Sequence, residues 1–197
     1  MGVGLDELQR IGLKLFAIDG SALRPRELVP IFHRWIQQQA LHDQLLIDVA
    51  DYQHVPEGPG VMLVAHQGNF SLDLGGGRMG LAYIRKVPAP GSLADRLRTL
   101  AGTALEACRL LEGDAALGGR LRFRGDELYL FANDRLLAAN TRELAAQFRP
   151  AVQQFVHVLY GDDACTITAE SDPRERLGVH VKAASPVRLS ELAERLR

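Results

Sequence analysis

The stretch LLIDVADYQHVPEGPGVMLVAHQGNFSLDLGGGRMGLAYIRK, residues 45–86, decides the fold. Residues 45–52 alternate, with Leu45, Ile47 and Val49 on one side and Leu46, Asp48 and Ala50 on the other, which is the period-2 pattern of a strand. Residues 61–66 form a continuous apolar run that closes on His66. Residues 70–74 alternate again, Phe70, Leu72 and Leu74 against Ser71 and Asp73, and residues 79–86 read as the return strand. The turns Gln67-Gly68-Asn69 and Gly75-Gly76-Gly77-Arg78 are short enough for hairpins. Four strands joined this way predict an antiparallel meander.

Working outward, residues 13–18 read as a strand ending at Asp19-Gly20, and Pro30 opens a helix to about Ala40 that carries Ile31, Trp35 and Ile36 on one face. Beyond the meander, Ser92 and Asp95 have capping-box spacing, and Leu93, Leu97, Leu100, Ala101, Ala104, Leu105, Cys108 and Leu111 form an unbroken apolar stripe. Gly113 closes that helix. Residues 121–123 and 128–132 read as a hairpin turning at Gly125-Asp126. Asn140 and Glu143 then cap a second long helix ending near Gly161, with a kink or break expected at Pro150. Residues 164–170 and 177–182 form a further hairpin, and a last helix carries Leu189, Leu192 and Leu196. Helices and hairpins alternate without a Rossmann-type crossover. The fold class expected is α+β, a mostly antiparallel sheet of a four-strand meander plus two further β-hairpins alternating with long amphipathic helices, in one domain over residues 1–197.

Composition narrows the function classes. Hydrophobic residues make up 47% of the 197, charged residues 24%, and the formal net charge is −1, which are values of a globular chain with a sizeable core. A nucleic-acid partner is disfavoured because most of such affinity comes from a basic excess. Arg supplies most of the basic residues, which reads as a GC-rich bacterial codon bias. The two cysteines, Cys108 and Cys165, stand in no CxxC pattern, so neither a thiolate zinc site nor a disulfide framework is expected. No apolar stretch approaches the roughly 20 residues needed to cross a bilayer. No leader pattern opens the chain, and a cytoplasmic location without membrane association is the expectation.

The chemistry-bearing residues crowd into the meander. Asp51 and His54 follow one strand, His66 ends the next, and Asp73 ends the third. If the meander gathered Asp51, His54, His66 and Asp73 on one rim, they would suit a divalent metal, or a histidine general base oriented by a carboxylate. No HExxH or other diagnostic spacing accompanies them, and turns select His and Asp for local hydrogen bonding in any case. Gly76, Gly77 and Arg78 form a candidate anion cradle with converging N–H groups, although the turn lacks the Lys-Ser/Thr of a P-loop. Arg120, Arg122 and Arg124 alternate as a basic ladder. No nucleophile motif and no cofactor fingerprint is present.

One helix, a meander, a helix, a hairpin and a helix resembles the element order of small secretion-chaperone folds, which this chain exceeds at both ends. With no nucleophile, cofactor or metal motif, the expectation is a non-catalytic binding or adaptor module that acts through protein–protein contacts and self-associates, a reading this resemblance supports; Ala- and Leu-rich helices such as 92–112 suit a dimer surface or a core equally. The alternative is a metal- or anion-dependent enzyme with its His/Asp site on the meander rim.

Overall fold

The computed structural model describes residues 5–18, 23–55, 58–161 and 164–197. Among them run β1 (Ile11–Ala17), α1 (Leu28–Gln38), β2 (Leu46–Asp51), β3 (Val61–Ala65), β4 (Gly68–Asp73), β5 (Gly80–Arg85), α2 (Leu93–Glu112), β6 (Phe123–Ala132), α3 (Arg142–Tyr160), β7 (Cys165–Ala169), β8 (Gly178–Ala183) and α4 (Leu189–Arg195). The turn expected at Asp19-Gly20 lies outside the described residues. The eight strands form one antiparallel sheet in the order β2-β3-β4-β5-β1-β6-β8-β7. The meander is therefore as expected, and the α+β antiparallel architecture holds. No helix among the described residues is long and apolar enough to cross a membrane.

Strand parity decides what lies on each side of the sheet. Ile11, Leu13 and Leu15 of β1 join a single apolar cluster with Leu128 and Leu130 of β6, Val179 and Val181 of β8, Leu81 and Tyr83 of β5, Phe70 and Leu72 of β4, and Val61 and Leu63 of β3. The same cluster takes in Ile31, Phe32 and Trp35 of α1, Leu97, Leu100 and Leu111 of α2, Phe148, Val152 and Phe155 of α3, and Leu192 of α4. All four helices thus cover one face. The residues of opposite parity, such as Lys14, Phe16, Ala82, Tyr129, Phe131 and His180, lie outside that cluster on a face that carries no helix. An antiparallel sheet tolerates a face without helices, and here the side chains of that face cover one another: Lys14, Phe16, Ala82 and Phe131 are all buried.

Helix α2 starts as its sequence dictates. The Ser92 hydroxyl accepts from Asp95 N–H at 3.2 Å and the Asp95 carboxylate accepts from Ser92 N–H at 3.0 Å, a reciprocal capping box. Three elements differ from expectation. The hairpin at Gly125-Asp126 is instead the continuous strand β6. Gly125 serves a close approach: a Cβ there would collide with the Val187 carbonyl, and the Tyr160 hydroxyl donates to Gly125 O at 2.8 Å. Helix α3 is capped by Thr141, because the Asn140 amide is drawn to the carbonyls of Glu170 and Asp172. It also runs unbroken through Pro150. Ala146 and Pro150 are both exposed, so the carbonyl that loses its helical donor faces water.

The third difference is a bulge in β2. Pairing passes from Leu46–Ala65 to Asp48–Val64, leaving Ile47 as the extra residue. One inserted residue exchanges the two faces for everything beyond it. Leu46 and Val49 therefore share the core side, and Asp48 and Ala50 take the open side, where strict alternation had grouped Leu46 with Asp48.

Candidate functional site

The register spreads the predicted rim over both ends of the sheet. Asp51 pairs with Val61 at one end of β3, and His66, whose N–H donates to Leu45 O at 2.9 Å, stands at the other. Five extended steps separate Val61 from His66, roughly 17 Å at the rise of a strand. Ligands of one ion sit about 2 Å from it, so His66 cannot share an ion with Asp51 or His54. Among the described residues no three His, Cys, Asp or Glu side chains gather as metal ligands. Asp51 is occupied by local bonds: it accepts the Gln53 N–H at 3.0 Å, the Gln53 side-chain amide at 2.9 Å and Arg26 Nε at 3.3 Å. The backbone bond from Gln53 is the main cause holding its carboxyl below the usual range, followed by the Gln53 side chain, and Arg26 adds to them. His54 stacks on Tyr52 in the turn that follows.

The glycine turn faces a cation. Lys14, only 3% exposed, reaches under it from β1 and donates to Gly75 O at 3.1 Å and Arg78 O at 2.6 Å. Its ammonium also pairs with Asp73 Oδ2 at 3.4 Å. The Gly75 N–H is taken by Asp73 Oδ1 at 2.6 Å and the Gly77 N–H by Leu74 O at 3.1 Å. The turn, in sequence a candidate amide cradle, thus points carbonyls toward Lys14, with Gly76 and Gly77 at φ of 68° and 70° supplying the left-handed backbone. Burial lowers the Lys14 pKa, and Asp73 opposes that shift. Arg78 forks onto Glu127 with bonds of 2.6 and 2.8 Å and lies 3.9 Å above the Phe16 ring. That fork is the main cause of the lowered Glu127 carboxyl. An anion arriving at Arg78 competes with this carboxylate.

The basic ladder also disperses. Arg120 pairs with Glu27 at 2.6 Å, Arg124 with Asp126 at 2.8 Å, and only Arg124 belongs to β6.

A feature that shares only Arg78 with the candidate residues crosses the helix-free face. Arg176 lies 4.0 Å from the centre of Phe131, Phe131 stacks on Tyr129 at 5.4 Å, Tyr129 on His180 at 4.4 Å, and His180 on Phe16 at 6.3 Å, beneath Arg78. The result is a column of four rings with a guanidinium at each end, a cation–π arrangement. It is seated on glycines: a Cβ at Gly12 would enter the Phe131 ring, and one at Gly178 would meet the Tyr129 hydroxyl. Burial pushes the Tyr129 phenol up to about 12 and pulls His180 below its ordinary value, against the pull of Glu170 and Glu127. The signal for this column was present in the sequence as the pairs Lys14/Phe16, Tyr129/Phe131 and His180/Lys182, which sit at the non-core parity of three neighbouring strands. Recognising it required knowing that β1, β6 and β8 are adjacent.

The β2 margin has a different character. Leu45 and Ile47 keep 56% and 54% of their surface exposed, and Tyr52 and Val55 follow at 41% and 42%. These are four of the eight exposed large apolar side chains among the described residues, and they fall within eleven positions on one edge of the sheet. The backbone of this edge is protected. The Gln39 side-chain amide donates to Leu46 O and accepts from Leu46 N–H, both at 3.0 Å, standing in for a strand partner. Asp48 accepts the Val49 N–H at 2.8 Å. The bulge adds a twist that further discourages strand addition. The margin thus presents apolar side chains over a closed backbone. The sequence matches no family model and no curated protein, and the fold matches no solved structure.

Proposed function

We propose that the protein is a non-catalytic binding or adaptor module, chaperone-like in kind, that acts through protein–protein contacts made by the β2 margin. One observation carries this reading: the concentration of Leu45, Ile47, Tyr52 and Val55 at one sheet edge. Single exposed apolar residues need no explanation, whereas several strung along one sheet edge mark a contact surface. Half-buried Met62 and Val64 of β3 extend the margin onto the helix-free face. The shielding of Leu46 and Val49 supports recognition by side chains over recognition by strand pairing. The expected place of action is the cytoplasm.

The test is the double variant Leu45→Asp/Ile47→Asp. Neither side chain belongs to the core, so stability changes by no more than about 0.5 kcal/mol per site. Gel filtration of a native lysate with immunodetection then compares the two chains. The wild type is expected in a complex larger than the purified protein, and the variant at the position of the purified protein. Co-elution of wild type and variant, in either position, contradicts the reading.

A further inference from the structure

We propose that the outer edge of β7 is where a second copy of this chain adds, antiparallel, about a two-fold axis at Ile167. Among the described residues β7 has one strand neighbour, β8. Its hydrogen-bond phase is set at both ends: the Glu170 N–H donates to Gly178 O and the Ala184 N–H to Ala164 O, each at 2.9 Å. In an antiparallel ladder alternate residues bond the same neighbour. The even-numbered residues of β7 therefore face β8, and the amides and carbonyls of Ile167 and Ala169 point outward.

The two edges of the sheet are built differently. β2 carries a bulge, a glutamine amide standing in for a strand, and an aspartate on its own backbone. β7 pairs with β8 over five successive residues without a register shift and contains no charged side chain. Its centre, Thr166-Ile167-Thr168, is β-branched throughout, which is the composition of a pairing strand. Unblunted edges of this kind invite another strand.

The occupant follows from self-complementarity. A two-fold at Ile167 sets Ile167 against its own copy, Thr166 against Thr168 of the second copy, and Cys165 against Ala169 of the second copy. Apolar residues meet on the helix side, and threonines meet on the open side in favourable cross-strand pairs. On the open side Glu170 of each copy falls diagonal to Lys182 of the other. Strand spacing and rise put their Cα atoms roughly 12 Å apart, within the combined reach of the two side chains. The β2 edge fails the same test: residues 45–55 include Asp48 and Asp51 and no Lys or Arg, so self-pairing brings like charges together.

The dimer is independent of the β2 contact surface, and separate measurements decide the two. Light scattering of the purified protein at about 100 µM, a concentration that fills any micromolar dimer, should give twice 21.6 kDa. Ala169→Pro removes an amide that points away from β8, so the internal ladder survives and the folded circular-dichroism spectrum should be retained while the mass halves. In a Cys165→Ser background, Ile167→Cys should oxidise to a disulfide-linked dimer, since Cα atoms about 5.5 Å apart across such a pair suit a disulfide. A wild-type monomer, a dimer that survives Ala169→Pro, or a dimer without the crosslink at position 167 overturns the proposal.

Discussion

Gly12→Ala tests the ring column at its foundation. Gly12 lies on β1 beneath Phe131 of β6, and a methyl group there occupies the space of the Phe131 ring, which is 2% exposed. The β1 backbone is fixed by pairing to β5 on one side and β6 on the other, so the ring must move. Removing a buried Phe side chain altogether costs about 3–5 kcal/mol, which bounds the effect from above. Partial loss of Phe131 packing, with its contacts to Tyr129 and Arg176, should cost about 3 kcal/mol, or a fall in melting temperature of about 6–12 °C for a domain of this size. The assay is thermal and urea denaturation followed by circular dichroism for Gly12→Ala, Phe131→Ala and the double variant. In the Phe131→Ala background the added methyl has room, and alanine is the better strand residue, so the second substitution should cost nothing. A Gly12→Ala loss below about 0.5 kcal/mol, or an equal loss with and without Phe131, would mean that the Phe131 ring does not rest on Gly12.

Three further outcomes follow from the same structure. Gly125→Ala drives a Cβ against the Val187 backbone carbonyl, which cannot rotate away, and should destabilise by about 2–3 kcal/mol in urea melts; Gly102→Ala, where a Cβ meets nothing within 4 Å, should be neutral or stabilising. Ser92→Ala removes the α2 capping box and should cost about 1 kcal/mol by the same measurement. His180 titrates below its ordinary value because burial disfavours the imidazolium, so below pH 6.5 the unfolded chain binds the proton first. Stability should be full above that pH and fall as pH drops toward the lowered folded value, and His180→Phe should flatten that part of the wild-type stability profile.

Sequence pattern carried the meander, the capped α2 helix and the β7–β8 hairpin because each rests on local alternation or local capping. The misreadings arose where a distant element set the outcome. Gly125 looks like a turn glycine until Val187 and Tyr160 are seen against it. Asn140 looks like a helix cap until the carbonyls of Glu170 and Asp172 claim its amide. The β2 bulge is invisible to alternation because Ile47 is as strand-like as its neighbours. The candidate rim suffered from the same limit. Asp51, His54, His66 and Asp73 are near in sequence, yet antiparallel register sends His66 to the far end of β3. The glycine turn offers a candidate anion cradle in the sequence, and Lys14, some sixty positions earlier, gives no local sign that its ammonium meets the Gly75 and Arg78 carbonyls there. The surface proposed in place of that rim is apolar, and exposure of apolar side chains is a property of the packed sheet that composition alone does not reveal.

If the β2 margin contacts another protein as proposed, site-specific photo-crosslinking will capture that contact. A benzophenone side chain replaces Ile47 in one chain and Leu136, a fully exposed leucine away from the margin, in a control. A discrete crosslinked protein is expected from position 47 and none from position 136. The same products from both positions, or no product from position 47, would contradict it.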